Sequence, residues 1–256
     1  MNPTTITLLF LLFAVVMFVF EKIPLGVTSM IGIAAKSGYS RSRLLMPLVF
    51  AAAMGGNLSL IGAPGNLIAQ SALEEMNLSF GFFEYAIVGM PILICGILFY
   101  ATVGYRFLPN KKVSGDGGTL SLASALSQTG AGAMIAETVM GALGESPSLY
   151  VLTFVVFILC CIMTNFMSNT ATTALMVPIC LSIAQGMGAD PRAVLMACVI
   201  GGSCAYATPI GMPANTMVVG AGGYTFMDYV KSGLPLIVIA TIVSMVILPI
   251  AFPFFP

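Results

Sequence analysis

Residues 164 to 179 read TNFMSNTATTALMVPI, and seven of them carry a side-chain hydroxyl or amide: Thr164, Asn165, Ser168, Asn169, Thr170, Thr172 and Thr173. They lie within one of the most apolar stretches of the chain. Hydroxyl and amide oxygens beside free backbone carbonyls suit a hard cation such as Na+, while O–H and N–H groups suit a carboxylate. Two shorter interruptions, GAPGN at 62–66 and GMPAN at 211–215, share the pattern G-x-P-x-N. Glycine admits unusual backbone angles, and proline removes a donor and clashes with the preceding turn. Each motif is therefore expected to break a helix into two half-helices, one offering N–H groups to an anion and the other carbonyls to a cation. A lone Ser-Asn-Thr in an apolar helix would be a helix–helix contact worth ~0.6 kcal/mol. A polar cluster this dense, beside two duplicated breaks, favours ion binding.

The elements that must hold these residues are apolar. Of 256 residues, 59% are hydrophobic and 7% charged, with a mean hydropathy of +1.04, against about 25% charged residues in a soluble domain. An integral membrane protein is expected, with the lipid bilayer as its partner. Net charge is zero and there is no His, which excludes a basic nucleic-acid surface, an imidazole zinc site and a Ser-His triad. No nucleophile–base pair is visible, so an enzyme is not expected. The six cysteines show no CxxC spacing and read as small buried hydrophobes.

The runs Thr5 to Phe20, Tyr85 to Leu108 and Leu234 to Pro256 read as spanning helices; the first lacks the basic flank and cleavage site of a signal peptide. The arms starting at Val151 and Thr172 are each only roughly 20 Å long. With Ser168-Asn169-Thr170 between them, they suit a re-entrant hairpin. Glu137 is open to two readings, an intramembrane functional acid or an interfacial one.

The two breaks belong to copies of one unit. An offset of 149 pairs 62–66 with 211–215 and Arg43 with Arg192, and an offset of 144 pairs Glu84 with Asp228 and Pro91 with Pro235. Ser-Asn-Thr occurs once, so the first copy lacks its hairpin. The chain reads as shortened near Ile31/Gly32, and a second abrupt change falls near Asp116/Gly117. The expected organisation is an N-terminal helix and connector (1–31), an incomplete first repeat (32–108), a polar linker (109–118) and a second repeat bearing the hairpin (119–256).

At TNFMSNTATTALMVPI, YATPIGMPANTMVVGAGGY, GGNLSLIGAPGNLIA and GGTLSLASALSQTGAGAMIAE the sequence resembles the divalent anion:sodium symporter family, which carries dicarboxylates, citrate and sulfate. The resemblance implies an all-α polytopic membrane protein of inverted repeats, with a re-entrant hairpin and discontinuous transmembrane helices. It also implies a homodimer that moves substrate by an elevator motion, in a membrane such as the bacterial inner membrane. By that resemblance Thr164, the Met167 carbonyl, Asn169 and the Gly211 carbonyl ligate Na+, with Gly62 surviving from a first sodium site. Ser168, Asn169, Thr170 and Pro213 lie against a small anionic substrate, with Pro64 and Asn66 as first-repeat counterparts. Na+ is the implied coupling ion, with no organic cofactor. The sequence departs from the family in its single hairpin and in carrying Ala63 and Met212 where the breaks usually hold threonine. The expected function is secondary transport of small divalent anions, most plausibly di- or tricarboxylates. A transport-inactive remnant and a sodium-independent exchanger are the alternatives. Lys36, Arg41 and Arg43 cluster in one loop and Arg106, Lys111 and Lys112 in another. Both loops are expected on the cytoplasmic side, with loop 186–192 opposite.

Overall fold

The computed structural model describes residues 40–110 and 148–253, with isolated helical positions at 134, 138, 139 and 141. The Thr5 to Phe20 run, Glu137, Lys36, Lys111, Lys112 and the junctions near residues 31 and 116 lie outside the described residues. Those described form an all-α bundle: α1 (Arg41–Gly55), α2 (Pro64–Glu74), α3 (Tyr85–Thr102), α4 (Leu149–Thr164), α5 (Asn169–Gly186), α6 (Pro191–Gly202), α7 (Pro213–Gly222) and α8 (Phe226–Ala251). Among them, α3 and α8 are long and apolar enough to cross a membrane.

Local signals set the helix ends. Ser168 caps α5 by accepting from Ala171 N at 3.1 Å. Asp190 caps α6 ahead of Pro191, and Thr225 with Asp228 closes a capping box on α8. Such caps satisfy amides that a helix start leaves without partners. Gly223, at φ 65°, ends α7 in the left-handed region that glycine enters without strain. Helix α6 is buried along its whole length except Arg192, as expected of a helix that is apolar all round. It packs against α4, α5, α2 and α8. Five cysteines are buried and all six are free thiols; Cys160 and Cys198 approach to 3.7 Å between α4 and α6.

The breaks fall at the two motifs. The irregular backbone lies ahead of each motif proline, and the proline itself opens the second half-helix, Pro64 for α2 and Pro213 for α7. The first helical position needs no N–H donor, so proline fits it.

The duplication is physical. Asn66 Nδ2 donates to Gly56 O (3.1 Å) and Ser59 O (2.8 Å), and Asn215 Nδ2 donates to Ala205 O (2.7 Å) and Thr208 O (2.8 Å). These four carbonyls correspond pairwise at the offset of 149. Tyr85 Oη donates to Asn66 O, and Tyr229 Oη to Asn215 O, a pair related by 144. Packing follows the same exchange: α1 lies on α7, α2 lies on α6, and α3 lies on its counterpart α8.

Close approach in each unit depends on a glycine. A Cβ on Gly89 would collide with the Asn57 carbonyl, and one on its counterpart Gly233 with the Tyr206 carbonyl. Gly89→Ala and Gly233→Ala are each expected to destabilise the protein by about 1–3 kcal/mol. Gly186→Ala, where nothing lies within 4 Å, should be neutral or stabilising in denaturant unfolding from detergent.

Candidate functional site

Helices α4 and α6 both end at one point. Thr164, the last residue of α4, is fully buried, and its Oγ1 lies 2.6 Å from Gly202 O, at the end of α6, and 2.6 Å from Asn169 Oδ1. A hydroxyl has one proton to donate. With the Asn169 amide so oriented, one of these two oxygen–oxygen approaches has no hydrogen between the atoms. Three oxygens thus converge at the carbonyl ends of two helices, where the dipoles favour positive charge. Asn169 also begins α5, so N–H groups and a positive dipole end face outward from the same place.

Asn165 clips this tip to the second break. Its Nδ2 donates to Cys161 O (2.7 Å) and Cys204 O (3.1 Å), and its Oδ1 accepts from Ala207 N (2.8 Å). Its backbone carbonyl accepts from the Thr208 hydroxyl, which in turn accepts from Gly211 N at 3.1 Å. Gly211 is buried so closely that a Cβ there would lie 2.8 Å from Thr164 O and 3.2 Å from Asn165 Cα. The start of α7 is thereby held against the hairpin tip.

The first-repeat break reaches the same region through Thr173. Its Oγ1 donates to Asn169 O (2.8 Å), and Cβ atoms on Gly65 and Gly202 would lie 2.6 and 3.1 Å from it. Thr172 Oγ1, Asn66 Oδ1 and Asn215 Oδ1 are buried with no hydrogen-bond partner among the described residues.

Thr164, Asn169 and Gly211 therefore come together, with Met167 buried in the tip between them. Ser168 and Thr170 are exposed at the tip, and Pro213 and Pro64 are exposed at the starts of α7 and α2. Gly62 is exposed within the first break, where a Cβ would strike Gly56 O. Asn66 is fully buried, and its amide nitrogen is committed to the break itself. Asn165, Gly202 and Thr208 had no assigned role in the sequence. Asn165 belongs to the quoted polar cluster, but nothing local distinguishes a clip from a ligand. A cavity of about 560 Å³ between α4 and α8 touches Asn165 and Thr208 at one end. Phe154, Ile158, Val238 and Ile242 also line it, so it suits hydrocarbon rather than an anion.

Fold and site define an all-helical protein built on paired helix breaks and one polar hairpin tip. The chain belongs to the sodium:sulfate symporter transmembrane region family, which matches residues 115–252, within the divalent-anion symporter superfamily; the citrate transporter family matches residues 2–115. Both are transporter families. An uncharacterized transporter of Escherichia coli (strain K12) is 37% identical over 54% of this chain and 22% of its own length. A sodium-dependent dicarboxylate transporter of Staphylococcus saprophyticus is 29% identical over 52% of this chain and 26% of its own. An uncharacterized transporter of Methanocaldococcus jannaschii is 25% identical over 73% of this chain and 59% of its own. The chain thus spans about a fifth of the length of the Escherichia coli relative.

Asn165→Leu keeps the volume of the clip but strands the Cys161 and Cys204 carbonyls and the Ala207 amide. Each stranded group costs roughly 1–3 kcal/mol. Equilibrium unfolding should show a loss in that range or above, and hydrogen exchange at Ala207 should accelerate. An unchanged Ala207 amide would mean that the clip does not hold the break.

Proposed function

We propose that this chain is a carrier of small divalent anions, most plausibly dicarboxylates, coupled to Na+ and embedded in a cell membrane. The observation that carries the reading is the three-oxygen convergence of Thr164 Oγ1, Asn169 Oδ1 and Gly202 O at two helix C-termini. In this orientation of the Asn169 amide, a monovalent cation seated there is met by all three oxygens. The Met167 and Gly211 carbonyls, close by in the tip and the break, complete the donor set. Gly62 is the first-repeat counterpart of Gly211.

The anion is assigned to the opposite polarity of the same junction. Ser168, Asn169 and Thr170 at the start of α5 meet a carboxylate with N–H and O–H groups, and Pro213, which has no donor of its own, packs against it at the start of α7. Pro64 is the counterpart of Pro213 at the start of α2, where Asn66 shapes the break ahead of it. Asn169 belongs to both sets, so cation binding orients its amide and fixes the N–H face that the anion reads. That shared residue is the proposed source of coupling, since each ligand then strengthens the other's binding by the same factor.

Inverted repeats and a re-entrant hairpin fit the exchange-related packing of α1 with α7 and α2 with α6. The shortened first repeat is part of the same proposal. The aligned stretch of the Methanocaldococcus jannaschii relative runs to 264 positions, longer than this entire 256-residue chain, yet draws on 73% of it. The relative therefore carries segments without counterparts here.

Sodium-gradient-driven succinate uptake into proteoliposomes tests the reading. The chain alone should take up little, while a form with a second Ser-Asn-Thr hairpin inserted between Ile31 and Gly32 should take up much more. In that restored form, Asn169→Ala should remove uptake and the melting shift induced by succinate with Na+, a loss of about 1.5–3 kcal/mol in binding. Equal ligand-induced shifts in Asn169→Ala and its parent would contradict the site. Strong uptake by the unaltered chain would contradict the incomplete first repeat.

A further inference from the structure

The two copies differ in charge at one helix start. In the second copy, Asp190 takes Arg192 in a paired contact: Arg192 Nε lies 2.9 Å from Asp190 Oδ2, Nη2 lies 2.6 Å from the same oxygen, and Arg192 N donates to Oδ1 at 2.9 Å. Burial of the Asp190 carboxyl opposes its charge, but these bonds from Arg192 outweigh the opposition and hold its pKa below the ordinary range.

In the first copy Arg43 stands at the position of Arg192 at the offset of 149, while the helix-capping position that Asp190 takes belongs to Ser40, followed by Arg41. No acid stands in the residues just before Arg43. Its Nε is buried with no partner among the described residues, and beside it lies a cavity of about 410 Å³ lined by Arg43, Leu44, Pro47, Tyr100, Tyr105 and Leu108.

The cavity walls are fixed in place. Ser42 Oγ donates to Pro109 O (2.7 Å), tying the first turn of α1 to the segment after α3. Ser232 Oγ donates to Phe107 O (2.9 Å), and Tyr100 Oη donates to Ser232 O (3.0 Å). Tyr105 accepts from Arg106 Nε at 3.3 Å, with the Arg106 guanidinium 5.7 Å from its ring centre. The Tyr105 phenolic hydrogen is left to donate to no acceptor among the described residues.

We infer that this cavity binds an external anionic oxygen group, a phosphate, at the place the Asp190 carboxylate occupies in the other copy. A buried guanidinium nitrogen without a partner is costly, and the second copy meets that cost internally. The first copy presents a guanidinium and a phenol, with Arg41 two residues before Arg43, beside the apolar walls of Leu44, Pro47 and Leu108. That mixture matches the phosphate of a membrane phospholipid with its acyl chain alongside. Basic pockets and tyrosines at the ends of apolar helices are where such headgroups settle. The lipid as source rests on the membrane reading above; the phosphate chemistry does not.

The full chain, purified in detergent and stripped of lipid, is tested with phosphatidylglycerol, phosphatidylcholine and inorganic phosphate. Bound lipid is counted by native mass spectrometry, and protection by thermal melting. The parent should hold phosphatidylglycerol in preference to phosphatidylcholine. Arg43→Gln should weaken that binding roughly tenfold, the worth of one charge-assisted hydrogen bond. Arg41→Asp, at an exposed position, should weaken it as much by placing a carboxylate two residues before Arg43, the spacing of Asp190 and Arg192. Arg192→Gln should leave it unchanged. Protection by inorganic phosphate, lost in the same two variants and without lipid retention, would support the site with a free anion as its source. Lipid and phosphate binding equal in the parent, Arg43→Gln and Arg41→Asp would overturn the inference. None of these readouts involves succinate or Na+, so the outcome is independent of the transport reading.

Discussion

A backbone carbonyl released by a helix break must find a donor, and in an apolar bundle the protein has to supply it. Here one asparagine per copy does so. Asn66 and Asn215 each bridge two carbonyls of their own break with one amide nitrogen, so the irregular segment becomes a defined shape. The neighbouring helix is arranged around that solution. The tyrosine of the following helix locks the asparagine carbonyl, and glycines at 89 and 233 let that helix approach the break. Proline then opens the second half-helix without requiring a donor.

With the break shaped, polarity is assigned by helix direction. The ends of α4 and α6 bring carbonyl oxygens to Thr164 and Gly202, while the start of α5 brings amides to Asn169 and α7 opens beside it at Pro213. Ends that favour a cation and an anion thus lie within a few residues of one another, with no formally charged side chain among the described residues that meet there. This suits a low-dielectric setting, where a fixed charge is expensive and dipoles are not. Asn165 keeps the two polarities in register by bonding α4, the segment after α6 and the Ala207 amide at once.

Much of this was legible in the sequence because it rests on local chemistry. Gly-x-Pro-x-Asn marked both breaks, and the offsets of 149 and 144 carried over into equivalent hydrogen bonds. The site was legible only in part. Gly202 supplies a backbone oxygen, and any residue type can do that, so its identity carried no signal. Asn165 stood in plain view among seven polar residues, but its side-chain partners other than Cys161 lie some forty positions away. The motifs predict two half-helices at each break, and the proline opens the second of them, because its missing N–H is harmless at a first helical position. Arg41 and Arg43 were legible as an orientation signal; their contrast with Asp190 and Arg192 needed the second copy's ion pair beside them.

The central claim is that Thr164, Asn169 and Gly202 seat a sodium ion. Equilibrium dialysis of the purified chain against radioactive sodium measures this without requiring transport or a complete first repeat. Saturable binding that potassium does not displace is expected, and Thr164→Val, which keeps the shape and removes the shared hydroxyl, should weaken it about tenfold or more. Sodium binding of equal affinity in the parent and in folded Thr164→Val, or no saturable binding in the parent, would contradict the account.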